Sequence, residues 1–214
     1  MDLRKDADLY FDTGDCIKAG NLAIPIGEEP VWKRLKSLDI TASVPGNRES
    51  HILPAGKRAK FAGFDHEILC ANWFDKKGKL EFKDQIIIEV NGIKLGLFGI
   101  MVAMVTPNMK TQAASAYLWQ NPLETAKLLV PELRKRCDIL VALTHIGIQN
   151  DRKLAALCPE IDVIFGGHSH TILEQPEKVG NTWICQGGSH GRFIGSYGLD
   201  PQKGLTEAAL IPWP

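Results

Sequence analysis

The feature that most constrains this chain is a set of short apolar segments, each of which runs into a polar loop. Four of these loops contain glycine together with Asp, Asn or His: residues 13–15, 45–49, 144–147 and 166–170. In open α/β sheets, ligands bind beyond the carboxyl ends of the strands, so the four loops are expected to meet at one end of a sheet. The pattern predicts an α/β protein whose site is assembled from distant parts of the chain.

The rest of the sequence extends this alternation of strand, loop and helix. An Asn91-Gly92 pair between two apolar runs predicts a hairpin, because both residues tolerate the positive φ that such a turn needs. Helical spacing predicts helices over residues 30–38 and 123–137. Residues 17–29 and 106–121 have little pattern and are expected to be surface loops. Strands are predicted at residues 8–12, 40–44, 66–73, 82–90, 93–101, 138–143, 161–165, 182–186 and 193–199.

Composition narrows the class of protein. The 25 Lys and Arg residues balance the 25 Asp and Glu residues, so the charge does not favour a nucleic-acid partner. No apolar run is as long as a membrane span or resembles a signal peptide, and no membrane contact is expected. Five scattered cysteines without a Cys-x-x-Cys pair indicate reduced thiols and a cytoplasmic location. A signal peptide upstream of residue 1 would overturn that location.

The polar loops hold a candidate metal site made of Asp15, Asn47, His145, His168 and His170. A carboxylate, an amide oxygen and imidazoles suit a borderline divalent ion such as Mn, Fe, Zn or Co. In the Gly-His-Ser-His run, the two histidines point to the same side if the backbone is extended. A Gly-Asp turn or a strand-end histidine is commonplace by itself. Together, each at the end of a strand, the five residues predict a metal centre.

These motifs resemble, in type and in order, those of the calcineurin-like metallophosphoesterases, and within that family the catalytic domain of the 5′-nucleotidases. The family pattern is Asp-x-His, Gly-Asp, Gly-Asn-His-Asp/Glu, His and Gly-His-x-His. This chain has Gly14-Asp15, Gly-Asn-Arg-Glu at 46–49, His145 and Gly-His-Ser-His at 167–170. Residues 69–73, 90–94 and 188–192 are also similar to the nucleotidase group. The resemblance implies two mixed β-sheets packed as a sandwich with flanking helices.

The same resemblance implies a chemistry and a role for each residue. The chain would hydrolyse a small phosphate ester, with a nucleotide among the candidates, by metal-activated water. Asp15 resembles the carboxylate that bridges two ions, Asn47, His145 and His168 the other ligands of the second ion, and His170 a ligand of the first. The family uses two divalent ions (Mn, Fe, Zn, Co or Mg), and one or two are expected here. The sequence leaves the oligomeric state open.

The chain departs from the family pattern in three ways. No Asp-x-His precedes Asp15, so a single domain over residues 1–214 is expected to be truncated at its N-terminus, without the first strand and with an incomplete first metal site. Arg48 replaces the histidine of Gly-Asn-His; its pKa is too high for a general acid, but it could contact a phosphoryl oxygen as a fixed cation. No C-terminal nucleotide-binding domain is expected after Pro214.

Two further possibilities follow from these departures. His190, in a glycine-rich loop, is a second candidate catalytic residue beside Arg48, whereas His51 and His66 are expected to be surface or packing residues. The alternative to an enzyme is a truncated or degenerate homologue with impaired catalysis, which binds metal and acts through protein interaction.

Overall fold

A computed structural model describes residues 4–213. Its strands, in chain order, are β1 Phe11–Asp12, β2 Ala42–Ser43, β3 Trp73–Asp75, β4 Gln85–Val90, β5 Ile93–Met101, β6 Tyr117–Trp119, β7 Ile139–His145, β8 Val163–Gly166, β9 Glu177–Val179, β10 Thr182–Cys185, β11 Phe193–Asp200 and β12 Gly204–Pro212. The helices are α1 Pro30–Ser37, α2 Pro54–Lys60, α3 Pro122–Arg134 and α4 Ile148–Leu157, with a 3-10 helix at Lys110–Ala114.

A six-stranded sheet in the order β4-β5-β7-β8-β10-β9 forms the centre of the molecule. The four inner strands β5, β7, β8 and β10 are parallel, and β4 and β9 pair antiparallel at the two edges. The predicted hairpin is confirmed between β4 and β5, where Asn91 and Gly92 have φ values of 52° and 80°. Positive φ at both positions matches the right-handed twist of the strands on either side.

Strand β7 shows that the sheet is covered on both faces, since all seven of its residues are buried. Successive side chains of a strand point to opposite faces. Leu140 and Ala142 accordingly join the core formed with α3 and α4, whereas Val141 joins a second core that includes Ala42 and Val44 at β2. The molecule therefore has helices, a large mixed sheet and smaller sheets in successive layers, and the predicted mixed α/β architecture is confirmed.

Three two-stranded sheets surround the large one: β1 with β2, β3 with β6, and β11 with β12. Strands β1 and β2 are parallel, so the polar loops that follow them emerge side by side. Strands β7 and β8 are likewise parallel neighbours. The loops after these four strands carry the predicted metal ligands. Within residues 4–213, none of the helices combines the length and the apolar character needed to cross a membrane.

Two predicted elements were wrong. Residues 66–73 were expected to form one strand, but they make single bridges, Ser43 to Ile68 and Leu69 to Lys83, before β3 begins at Trp73. The segment pairs with a different neighbour every one or two residues, so no continuous ladder can form. Residues 106–121 were expected to be a surface loop. Trp119 in β6 is instead fully buried, with its ring 4.8 Å from that of Trp73.

Candidate metal centre

Four of the five predicted ligands lie together where the polar loops meet. His145 ends β7 and His168 follows β8, while Asp15 and Asn47 lie in the loops after β1 and β2. One donor atom each from Asp15, His145 and His168 lies within 4.8 Å of the others. The Asn47 Oδ1 atom is 3.2 Å from His145 Nε2 and 2.8 Å from His168 Nδ1. One carboxylate, one amide oxygen and two imidazoles thus converge on one point, as a divalent ion requires.

The orientation of His145 is set by a backbone contact. Its Nδ1 atom lies 2.7 Å from the Thr13 carbonyl oxygen. A carbonyl can only accept, so Nδ1 carries the proton and donates it, and in the neutral ring Nε2 keeps its lone pair. Nε2 faces Asp15 Oδ2 at 3.4 Å. Metal-ligating histidines usually donate their other ring N–H in this way, and the arrangement therefore suits a metal ligand.

The pKa values of the site residues determine how readily they bind a cation near neutral pH. Burial by itself would raise the pKa of Asp15, but the hydrogen bond and charge of His145 and the amide of Arg48 hold that pKa below its ordinary value. Burial and the charge of His145 lower the pKa of His168. Burial would also lower the pKa of His145, but its contact with Asp15 raises it. Near pH 7 Asp15 is therefore charged and His168 mainly neutral, the forms that bind metal, whereas the raised pKa of His145 means that a cation must displace a proton from its Nε2.

Glu49 organises the loop that carries Asp15. The Glu49 carboxylate accepts from the N–H groups of Asp15 at 2.9 Å, Gly46 at 2.8 Å and Ile17 at 3.2 Å. Burial and the charge of Glu49 raise the pKa of nearby Asp12 to about 7. Gly46 has no room for a side chain, because an added Cβ would lie 2.2 Å from Asp15 Oδ1. The motif contained Glu49, but its bonding to three amides could not be predicted from spacing.

A buried polar network supports the two histidine loops from behind. Asp151, which is fully buried in α4, accepts from the Thr144 hydroxyl at 2.6 Å and from the Gln186 amide at 2.7 Å. The side-chain oxygen of Gln186 in turn accepts from the Ser169 hydroxyl at 2.9 Å. The Ser169 hydroxyl oxygen itself accepts from the Ile148 N–H at 3.0 Å. Burial raises the pKa of Asp151 to about 6. The network links the residue before His145 to the residue after His168.

The direction of these hydrogen bonds can be tested by exchanging the acid and the amide between positions 151 and 186. In Asp151→Asn, one of the two acceptor contacts of Asp151 must be replaced by an amide donor, and we expect a loss of about 1–3 kcal/mol in unfolding free energy. Adding Gln186→Glu provides an acceptor for that new amide while still accepting from Ser169. The double variant should recover much of the loss in urea unfolding. A double variant less stable than Asp151→Asn would show that the assigned direction is wrong.

Arg48 lies beside the cluster, but its charge is turned toward a neighbouring loop. Its backbone N–H donates to Asp15 Oδ1 at 2.7 Å. Its guanidinium donates to the carbonyl oxygens of Lys18 at 2.9 Å and Ala19 at 3.3 Å. The two parts of Arg48 therefore connect the Asp15 loop with the segment that follows it.

His170 and His190 form a separate, exposed pair. Their ring centroids are 6.0 Å apart, in the segments that follow the parallel neighbours β8 and β10. Both residues have positive φ, 56° and 62°, which is uncommon outside glycine. Within residues 4–213, the group of donor atoms from Asp15, His145 and His168 that lie within 4.8 Å of one another does not include His170.

The other two candidate histidines lie outside the site. His66 packs against Phe64 with ring centroids 4.3 Å apart, and His51 is buried, as expected of packing residues.

Comparison with known proteins gives consistent matches. The family model described as "Calcineurin-like phosphoesterase" matches residues 2–171. Among curated relatives, an uncharacterized metallophosphoesterase, YunD, of Bacillus subtilis (strain 168) is 28% identical over 164 residues, which are 75% of this chain and 35% of that protein. The trifunctional nucleotide phosphoesterase protein YfkN of the same organism is 32% identical over 130 residues, 57% of this chain and 9% of YfkN. The chain thus spans about a third or less of the length of these relatives.

Solved structures show the same fold at lower identity. A 5′-nucleotidase precursor from Thermus thermophilus has a TM-score of 0.74 and 22% identity, covering 95% of this chain and 45% of the other. The sulfate thiohydrolase SoxB of Thermus thermophilus has a TM-score of 0.76 and 21% identity, covering 99% of this chain and 42% of SoxB. At this identity the likeness is one of fold.

Proposed function

Since the chain belongs to the calcineurin-like phosphoesterase family, we propose that it hydrolyses a small phosphate ester with a divalent cation held by Asp15, Asn47, His145 and His168. The observation that carries the proposal is the convergence of three donor atoms within 4.8 Å on loops from separate strands. Nucleotides are the first substrates to test, because one relative is named a nucleotide phosphoesterase and one solved neighbour a 5′-nucleotidase precursor.

The chain's own residues would prepare the site before any substrate binds. Arg48 N–H occupies one oxygen of Asp15, so the other oxygen faces His145 Nε2. The Thr13 carbonyl holds His145 in the tautomer whose free nitrogen points into the site. When bound, a divalent cation supplies activation of water and neutralisation of phosphoryl charge. Because the ligands are already placed, little reorganisation would be needed at the moment of reaction.

The remaining predicted residues have different proposed roles. His170 would bind a second cation, and His190, with its ring beside that of His170, would face the substrate. Arg48 would act by fixing Asp15 and the adjoining loop. The bonds from its guanidinium to two carbonyls also favour the second candidate function, a metal-binding protein without catalysis, because a side chain used in this way contributes no proton to a leaving oxygen.

Metal removal tests the proposed function. The protein stripped with a chelator is expected to hydrolyse an aryl phosphate at background rate, and to recover on addition of Mn²⁺, Co²⁺ or Zn²⁺. A bis-aryl phosphate and a nucleoside 5′-monophosphate, assayed in parallel, separate diesterase, monoesterase and nucleotidase activity. Counting bound ions tests His170, since two per chain would support a second site. Bound metal without hydrolysis of any of the three esters would favour the non-catalytic role.

A further inference from the structure

The segment of residues 15–21 has no regular secondary structure, yet charged side chains bind much of its backbone. The Glu29 carboxylate, itself buried, accepts from the N–H groups of Lys18 at 3.0 Å and Ala19 at 2.9 Å. Glu49 accepts from Ile17 N–H. The guanidinium of Arg48 donates to the carbonyls of Lys18 and Ala19. Charged groups therefore replace the hydrogen bonds that a helix or sheet would supply.

Lys60 holds the end of this segment. Its side chain comes from α2 and is fully buried. The Lys60 ammonium donates to the carbonyl oxygens of Gly20 at 2.8 Å and Asn21 at 2.9 Å. The carbonyls of Arg48 and Ser50, in the loop that carries Asn47, also lie within hydrogen-bond distance, so that the three N–H groups of the ammonium are shared among four oxygens. A buried cation must be satisfied by nearby acceptors, and here those acceptors belong to the two loops it joins.

Asn21 then contacts Asn47, one of the proposed metal ligands. The Asn47 Nδ2 group donates to Asn21 Oδ1 at 2.9 Å. With its NH₂ group used in this way, Asn47 presents Oδ1 to His145 and His168. A rotation of 180° would turn the NH₂ group toward the site, and an NH₂ group has no lone pair available for a cation. The side-chain oxygen Oδ1 of Asn21 therefore determines which end of the Asn47 amide faces the metal site.

We propose that Asn21 is a positioning residue for the metal centre, which fixes the Asn47 amide with its oxygen inward, and that Lys60 holds Asn21 in place. The inference rests on the proposed function in taking Asn47 as a ligand. Groups that orient a metal ligand without touching the metal typically change affinity by about 10–100-fold. Loss of the Asn21 side chain is therefore expected to weaken cation binding by about tenfold.

Calorimetric titration of the metal-free chain with Mn²⁺ tests the role of Asn21. Asn21→Ala should weaken binding about tenfold without lowering the thermal midpoint of the metal-free protein, because the side chain is exposed. Asn21→Asp keeps an acceptor at the same place and should bind Mn²⁺ at least as tightly as wild type. Co²⁺ absorption spectra should change in Asn21→Ala and return in Asn21→Asp, which a purely structural role would not produce.

Asn47→Ala distinguishes failure of this inference from failure of the proposed site. Wild-type affinity in Asn21→Ala, with weak binding in Asn47→Ala, would overturn the role of Asn21 and leave the site intact. Wild-type affinity in Asn47→Ala would overturn both.

A matched pair of lysines tests the second link. Lys57 lies on the same helix as Lys60, pairs with Glu81 and lies over the Phe82 ring, away from the metal loops. Lys57→Met should lower stability and leave Mn²⁺ affinity unchanged, whereas Lys60→Met should lower both. If Lys60→Met fails to fold, Lys60→Arg provides the measurement, since its bulkier fork should displace Asn21 and weaken binding. Unchanged affinity in the folded Lys60 variant would overturn its supporting role.

Discussion

Asp15→Asn is expected to lower kcat/KM for a phosphate ester by at least about 100-fold, because removing a ligand should exceed the roughly 10–100-fold cost of removing a group that only orients one. The substitution keeps the size of the side chain but removes the charge that would balance a cation. It also removes the partner that raises the pKa of His145. Steady-state hydrolysis at several Mn²⁺ concentrations, together with Mn²⁺ affinity, measures both consequences.

Asp39→Asn is a matched control for this variant. Asp39 and Asp15 both have positive φ, 51° and 60°, a conformation that Asn tolerates as well as Asp. The Asp39 side chain is 94% exposed and pairs with Arg4 at the surface, which contributes little to stability. Its rate and metal affinity should match wild type. A rate for Asp15→Asn within a few-fold of the Asp39→Asn rate would contradict the role of Asp15.

Gly99→Ala is expected to destabilise the fold by about 3 kcal/mol or more, at the upper end of overpacking effects. A Cβ at Gly99 would lie 1.9 Å from the carbonyl oxygen of Leu69. That backbone cannot move away freely, because the N–H of Ala71 donates to the Gly99 carbonyl at 2.8 Å. The close approach of β5 to residues 69–71 joins the large sheet to the layer that carries β2. Urea unfolding followed by circular dichroism measures the change.

Gly27→Ala is the control for this second substitution. Among the described residues other than its two chain neighbours, none has an atom within 4 Å of a Cβ built at Gly27, so the added methyl group has room. Its unfolding free energy should stay within about 0.5 kcal/mol of wild type, as for most surface changes. Equal midpoints for the two alanine variants would mean that the Leu69 backbone yields at little cost.

Local patterns predicted the parts of the fold that depend on local chemistry. The Asn91-Gly92 turn and α3 are present because turn residues and helical spacing act over a few residues. Helix α4 was missed, since its N-cap Gly147, at φ 83°, provides no capping side chain as a start signal. The segment at 66–73 was misread because an apolar run does not show whether it will pair with one neighbour or several.

The proximity of Asp15, Asn47, His145 and His168 was predicted because their motifs fall at strand ends, where topology brings them together, whereas His170 lies outside that group. The residues that orient them were not. Lys60 belongs to a basic stretch with Lys57 and Arg58, and the sequence does not show which lysine is buried. Asn21 lies in a segment without pattern. Their roles depend on contacts across 26 to 40 residues, which propensity and spacing do not encode.

The hydrogen bond between His145 and Thr13 joins residues 132 positions apart, and this separation would determine when the proposed metal site can form. During synthesis, the segment with Asp15 and Asn47 emerges long before the histidines that complete the site. A nascent chain therefore has no complete binding site until the sheet has formed around β7 and β8. Contacts of such long range also slow folding. Once bound, a cation at 100 times its Kd would add about 2.7 kcal/mol to stability and tether an early part of the chain to a late one.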